Sequence, residues 1–322
     1  MKEAAMSNTE LIKELRALTQ AGMKDCKDAL EESGWDLQKA VDAVKVKGLN
    51  IADGRTGRVA ADGRVAIMEA TAVFDDAGNR LPDRELRVMV EVNCQTDFVA
   101  GNPDFVKFAD ATAATFLLSI LNGQTFDAAS VENGESGRLA LVSKTKENVV
   151  VRRWWAEEGQ DPTVRVFSYL HSNNKIGVLL TMKAPSVEAS KDPAFEELGA
   201  DLAMQIAAMS PLAVSSDRIP ADELARQGLI FKTQLTEEKK PEKMWDKILE
   251  GKFRKWGSEV CLLEQESVVL PKTSVKQVVT NVGTKLGGEI QVVNFVRCQV
   301  GEGIEKKSDD LASEVAKMVD TK

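Results

Sequence analysis

Val88-Met89-Val90-Glu91-Val92-Asn93-Cys94-Gln95-Thr96-Asp97-Phe98-Val99-Ala100 is the stretch from which the fold is read. Val88 to Val92 are mostly β-branched or apolar, the composition of a buried strand. Asn93 to Asp97 break the run, because short polar side chains bond their own backbone and favour turns and helix starts. Asn102-Pro103-Asp104 then opens a helix, with Asn102 as N-cap and Pro103 at the first helical position. The spacing predicts a strand, a corner and a helix, with Phe98 on the corner. Two readings of that ring stand side by side. Either it tucks under its own loop and fills the core, as apolar side chains mostly do, or it is presented to a partner as a wedge.

The same unit recurs further along the chain. Val178 to Met182 is another apolar strand, and Asp192-Pro193-Ala194-Phe195 parallels Asn102-Pro103-Asp104-Phe105. An offset of 90 lays Phe105 onto Phe195, Phe108 onto Leu198, Ala109 onto Gly199 and Ala113 onto Ala203. Such a repeat implies two similar β–α subdomains. After its strand the second copy reads Ala184-Pro185-Ser186, where the first has Thr-Asp-Phe-Val. The Phe98 turn is therefore expected to be dispensable for building the unit, which favours the wedge.

Outward from this core the chain reads as α+β. At the N-terminus Ser7-x-x-Glu10 matches a capping box, and Leu11, Leu15 and Leu18 share a helical face. A second helix from Met23 buries Cys26, Ala29 and Leu30 and stops at Gly34. Asp36 caps a third, with Leu37, Ala40, Val41 and Val44 on one face and Gly48 as its end. Residues 1–50 thus form a three-helix, ubiquitin-associated-like bundle, and the glycines and arginines of 51–64 read as a flexible linker. Core subdomain N is placed at 65–148, with strands Arg64 to Phe74 and Glu85 to Val92 joined by the turn cluster Asp75 to Asn79. Asn133 to Gly137 reads as a further turn. Core subdomain C is placed at 149–216 and 257–300, with strands at Val149–Val151, Val164–Leu170, Val260–Leu263 and Val292–Val300. Between its halves, 217–256 reads as an antiparallel helical hairpin of coiled-coil type. Leu224, Gly228, Phe231 and Leu235 face Met244, Ile248 and Phe253 across a polar tip. A C-terminal module at 301–322 carries an amphipathic helix, Ser308 to Val319.

Composition narrows the function. At 322 residues the chain has room for two or three compact units; 43% hydrophobic residues fill them, and only 5% aromatics make those cores aliphatic. No apolar run approaches a membrane span, and Met1-Lys2-Glu3 lacks the apolar stretch of a signal peptide. Cys26, Cys94, Cys261 and Cys298 are far apart with no C-x-x-C pair, which points to a reducing cytoplasm and away from zinc. A net charge of −8 argues against a general nucleic-acid binder. The single histidine, His171, excludes a histidine metal cluster. No phosphate-cradling G-x-x-x-x-G-K-[ST] loop is present, so the chain itself is expected to bind neither GDP nor GTP, and no cofactor or metal is implied. A Cys94–His171 dyad would make an enzyme, but a free cysteine in an apolar strand is ordinarily buried and inert. This composition describes a binder without catalytic residues.

One family unites these segments. Leu15-Arg16, Ala21-Gly22-Met23-Lys24-Asp25-Cys26-Lys27, Glu91 through Ala100, His171 followed by Lys175-Ile176-Gly177-Val178-Leu179, and Val300-Gly301-Glu302-Gly303-Ile304-Glu305-Lys306 together resemble translation elongation factor Ts, in order over nearly the whole chain. The resemblance implies a guanine-nucleotide exchange factor for the GTPase elongation factor Tu, acting in translation elongation. It implies that Asp97 and Phe98 face the partner's nucleotide domain, with Phe98 wedging near the magnesium side of the GDP site. It implies that His171 touches the partner from the second subdomain, and that Leu15, Arg16 and Met23 form the helical-module face meeting a helix of the same domain. Thr145 stands where some members carry an apolar contact residue, and no role is carried over to it. Stoichiometry is left open, including whether two complexes pair as a dimer of heterodimers. The rival reading is a multi-domain adaptor that binds through its helical bundle without exchange activity.

Overall fold

The computed structural model describes residues 6–19, 21–55, 57–70, 73–74, 80–81, 85–123, 132–159 and 161–305. The turn cluster at 75–79 and the helix expected over 308–319 lie outside them. Two units emerge, one formed by Met1–Ala66, Val90–Trp154 and Gln299–Lys322, the other by Ile67–Met89 and Trp155–Cys298.

The first unit begins with three helices. In front of α1 (Asn8–Thr19) the Ser7 amide and hydroxyl both donate to Glu10 Oε2 at 2.8 Å, the capping box read from sequence. Leu11, Ile12 and Leu15 turn inward, whereas Leu18, expected on that stripe, is 62% exposed. The buried stripe follows Ile12 because residues three and four apart share a face. Helix α2 (Met23–Glu32) buries Cys26, Ala29 and Leu30 and ends at Gly34 and Trp35, both left-handed, with φ of 66° and 64°. Asp36 Oδ1 accepts from the Lys39 amide at 3.1 Å and opens α3 (Leu37–Asp53). Helix α3 does not stop at Gly48. It continues to Asp53 and packs on α6 (Glu132–Thr145). Such packing outweighs the roughly 1 kcal/mol that a mid-helix glycine costs. The stretch expected as a tether is anchored too: Asn148 Nδ2 donates to the Arg58 carbonyl at 3.0 Å, and Ala60 and Ala61 are buried.

Strands β1 (Asp62–Ala70), β4 (Glu85–Cys94) and β5 (Val150–Gly159) form a sheet in the order β1-β4-β5, while β2 (Val73–Phe74) and β3 (Arg80–Leu81) make a short antiparallel ribbon. Central β4 is buried along nearly all its length, as its continuous apolar run requires. After it come the one-turn α4 (Asp97–Ala100) and α5 (Pro103–Leu121), whose inner face is Phe105, Ala109, Thr112, Ala113 and Phe116. Asn133 to Gly137, read as a turn, instead lie in the first turns of α6. Gly137 seats there against the Phe108 ring, which an added Cβ would meet at 3.1 Å.

The second unit repeats the plan. Strands β6 (Val164–Leu170), β7 (Ile176–Lys183) and β8 (Gln291–Gln299) form a sheet in the order β6-β7-β8, with β6 and β7 antiparallel. Helix α7 (Val187–Ser190) and then α8 (Pro193–Met209) follow β7, and α11 (Val275–Lys285) packs on α8. Phe167, Val178, Leu180, Met182, Phe195 and Ile206 lie at the centre of this core. Between α8 and α11 come the hairpin helices α9 (Ala221–Glu237) and α10 (Trp245–Val260). Their seam is aromatic: the Phe231 and Phe253 rings meet edge to face at 5.2 Å beside buried Leu235. Leu224, expected on this seam, is exposed. Val260 to Leu263 do not form a strand. They are the end of α10, an isolated bridge from Cys261 to Ala213, and a 3-10 turn, Leu262–Glu264, whose Leu262 and Leu263 amides donate to the Ala213 and Val214 carbonyls.

Candidate functional site

The corner after β4 is built to present one ring. Phe98 is 87% exposed, while Ala100, two residues on, is buried. Nothing about the turn beneath it is loose. Thr96 caps α4, its Oγ1 accepting from the Val99 amide at 3.3 Å. The same hydroxyl donates to Glu147 Oε1 at 2.7 Å, and Glu147 Oε2 accepts from the Gln95 and Thr96 amides at 3.0 and 3.1 Å. Gln95 Oε1 accepts in return from the Asn148 amide at 3.0 Å. The Cys94 thiol, fully buried, donates to the Thr96 carbonyl at 3.1 Å. Downstream, Asn102 Oδ1 accepts from the Asp104 amide at 2.9 Å, and Asp104 pairs with Lys144 on α6. Asp97, at the first position of α4, is exposed beside the ring. The Phe98 ring thus stands in water on a turn whose backbone is hydrogen-bonded.

Of the other residues singled out, Arg16 and Met23 flank the turn between α1 and α2; Met23 is 63% exposed. Leu15 does not join them. It is fully buried among Leu11, Cys26 and Leu30, so it sets the rotation of α1, while Arg16, Leu18 and Met23 are exposed. Charges of the helical module and of the elements around the Phe98 corner act on one another. The Asp104 carboxyl is held below its ordinary range chiefly by Lys144, with Lys107 and Arg16 contributing. That of Asp25 is lowered mainly by Lys47 and also by Lys146, the neighbour of Glu147. His171 belongs to the other unit, in the turn between β6 and β7, where its Nδ1 lies 3.0 Å from the Tyr169 hydroxyl. Cys94 is buried, with its thiol on the Thr96 carbonyl, and His171 lies in the other unit.

Glu147 was not among the residues read from sequence. It lies 52 residues beyond Gln95, at the exit of α6, whose first residues carry turn-type composition. The available signal was a carboxylate and an amide, Glu147-Asn148, directly before the β-branched run Val149 to Val151. Thr145, which carried no role, accepts from the Glu147 amide at 3.3 Å and donates to the Leu141 carbonyl at 2.8 Å, finishing α6.

The segment Val300 to Ile304 has a buried counterpart in Glu91. The carboxylate of Glu91 accepts from Arg152 Nη1 at 3.1 Å, Arg153 Nε at 2.6 Å, Asn93 Nδ2 at 3.1 Å and the Gly301 amide at 2.8 Å. Burial alone would raise its pKa, but the Gly301, Arg153 and Asn93 bonds outweigh burial and hold it below the usual carboxylate range. Gly301 has φ 74°, and a Cβ there would fall 2.2 Å from the Ala61 carbonyl oxygen, so only glycine closes this latch.

Comparison with known proteins agrees with the motifs. A family model described as Elongation factor TS matches residues 95–302. Elongation factor Ts of Symbiobacterium thermophilum is 39% identical over 313 residues, covering 97% of this chain and 98% of that protein. Elongation factor Ts of Clostridium botulinum strain Alaska E43 is 38% identical over 322 residues, covering 98% and 99%. That of Bdellovibrio bacteriovorus is 37% identical over 311 residues, covering 95% and 96%. Phe98, His171 and Gly301 all fall inside the matched span, and the chain belongs to the elongation factor Ts family.

Proposed function

We propose that Phe98 is the wedge through which this chain promotes GDP release from elongation factor Tu. The family role, nucleotide exchange on that GTPase during translation elongation, is the role of this chain. The observation that carries the wedge is the 87% exposure of Phe98 on a turn whose backbone is bonded on both sides.

The task is displacement without bond-making. Nanomolar nucleotide binding is worth roughly 12 kcal/mol, so a competitor must draw binding energy from several contacts at once. Asp97 and Phe98, the Arg16–Met23 face of a ubiquitin-associated-like bundle, and the His171 turn of the second unit are the regions we assign to that purpose. Magnesium in the partner's nucleotide site demands near-ideal octahedral geometry, so a small shift of its supporting segment weakens both the ion and the phosphates. A ring on a rigid turn can impose such a shift, because packed interiors respond by switching between arrangements instead of yielding smoothly. Coupling is reciprocal, so nucleotide rebinding expels the factor. This work belongs in the cytoplasm, consistent with four free cysteines, all buried, and with no described helix long and apolar enough to cross a membrane.

The test is Phe98→Ala in a labelled-GDP release assay at limiting factor. Truncating an aromatic anchor costs about 2 kcal/mol, a slowing of roughly 30-fold. Release at the wild-type rate would remove the wedge from the mechanism.

A further inference from the structure

The two copies of the corner solve one problem in two ways. In each, a hydroxyl caps a one-turn helix: Thr96 Oγ1 accepts from the Val99 amide and Ser186 Oγ from the Ala189 amide. The elements are in register at the offset of 90, Asp97–Ala100 with Val187–Ser190, so Glu188 occupies the position of Phe98. A capping hydroxyl accepts with its lone pairs and has one proton to place. In the second copy the Glu188 carboxyl is held below its ordinary range by its own amide first and by the Ser186 hydroxyl after it, so the carboxylate beside that cap comes from within the turn. In the first copy that position holds a ring, and the carboxylate comes from Glu147, 51 residues away, whose Oε1 lies 2.7 Å from Thr96 Oγ1.

We propose that Glu147 is the positioning residue for the Phe98 wedge: by supplying the carboxylate from outside the turn, it frees position 98 for an aromatic side chain and fixes the direction in which that ring points. This inference rests on the reading of Phe98 as the wedge. Three donors converge on Glu147, the Gln95 and Thr96 amides and the Thr96 hydroxyl, and the Gln95 side chain returns a bond to the Asn148 amide. The clasp therefore joins the corner after β4 to the corner before β5. The first corner ends the buried central strand β4 and the second opens the half-buried β5 of the same sheet, so a push on the ring is carried by the sheet and not absorbed by the turn. Charge-assisted bonds to backbone amides are shorter and stronger than neutral ones, and a glutamine cannot accept with both terminal atoms.

The experiment compares Glu147→Gln, Phe98→Ala and the double variant in labelled-GDP release from elongation factor Tu across a range of factor concentration. Glu147→Gln is expected to lower the maximal release rate about tenfold, as loss of orientation does, with the half-saturating concentration changed less than threefold. The double variant is expected to be no slower than Phe98→Ala alone. Normal release by Glu147→Gln beside slow release by Phe98→Ala overturns the positioning role and leaves the wedge standing. Effects that multiply in the double variant also overturn it, since Glu147 would then act elsewhere. Wild-type rates for both single variants overturn the wedge, and the positioning role with it. A thermal melt accompanies each variant. Where Glu147→Gln does not fold, Glu147→Asp, which keeps the charge one methylene short, takes its place with the same expected pattern.

Discussion

Phe98 and Phe105 stand seven residues apart on one strand–turn–helix unit and meet opposite environments. Phe105 is fully buried, whereas Phe98 is almost entirely in water. Truncating the first to alanine is expected to cost about 3–5 kcal/mol of stability. Truncating the second should leave the melting temperature within error of wild type, because almost no packing is lost. Thermal melts of the two variants side by side check this; a large drop for Phe98→Ala would return that ring to the core. Glycine carries a comparable contrast. The residue at 199, matched to Ala109 in the first copy, seats the Phe167 ring, and an added Cβ would come within 2.4 Å of it. Phe167 is buried and stacked edge to face on Phe195, so it has little room to withdraw. Gly199→Ala gains helix propensity of up to about 1 kcal/mol and loses more to overpacking, for a net destabilisation of about 1–2 kcal/mol read by urea unfolding.

At the scale of elements, the repeat reaches further than its apolar pattern suggested. The one-turn helix and its hydroxyl cap occur in both copies, so the turn belongs to the architecture and only the phenylalanine is additional. The comparison that favoured the wedge therefore holds for the side chain and not for the turn. In the hairpin, Leu235 is fully buried one helical turn after Phe231, whose ring packs on Phe253, and Lys252 lies 5.6 Å from the Phe231 ring centre. Leu235→Ala should cost about 2–4 kcal/mol of local stability. Hydrogen exchange is the suitable measurement, with protection expected to fall in α9 and α10 and to persist in β6 and β7.

At the scale of the whole molecule, the buried Glu91 latch ties stability to pH. A carboxyl whose folded pKa lies below its unfolded value of about 4.3 contributes stability that is fully present above that value and is lost as pH falls through the folded one. Asp25 and Asp104, both lowered by lysine partners, act in the same direction. The melting temperature is therefore expected to be flat from about pH 8 to about pH 5 and to fall below that. Glu91→Gln should melt lower at neutral pH, since Arg152 and Arg153 lose their buried counter-charge, and should show a shallower acid decline. Removing residues 1–53 is expected to weaken association with the GTPase. The remainder should still melt cooperatively, at a lower midpoint because α6 loses the cover of α3. A broad, non-cooperative melt of that truncated chain would make the helices part of the core.

Local signals sufficed wherever the stabilising partner lies within a few residues. The capping box at Ser7, the caps at Asp36 and Asn102, the strand from Val164 to Leu170 and the helix pair after Pro220 were all legible, because each rests on hydrogen bonds or periodicity spanning one or two turns. The motifs carried the family in the same way. Long-range partners decided the rest. Helix α3 passes Gly48 while packed on α6, and Leu15, rather than Leu18, fills the bundle. Val260 to Leu263 stay out of the sheet and bond the Ala213–Val214 backbone through the Leu262 and Leu263 amides. The candidate site divides along the same line. Its exposed ring could be picked out as a polar-turn anomaly in sequence, but Glu147, which holds it, is fifty residues away. Sequence alone does not say which distant carboxylate will reach a given pair of amides; that follows only once the sheet has brought the two corners together.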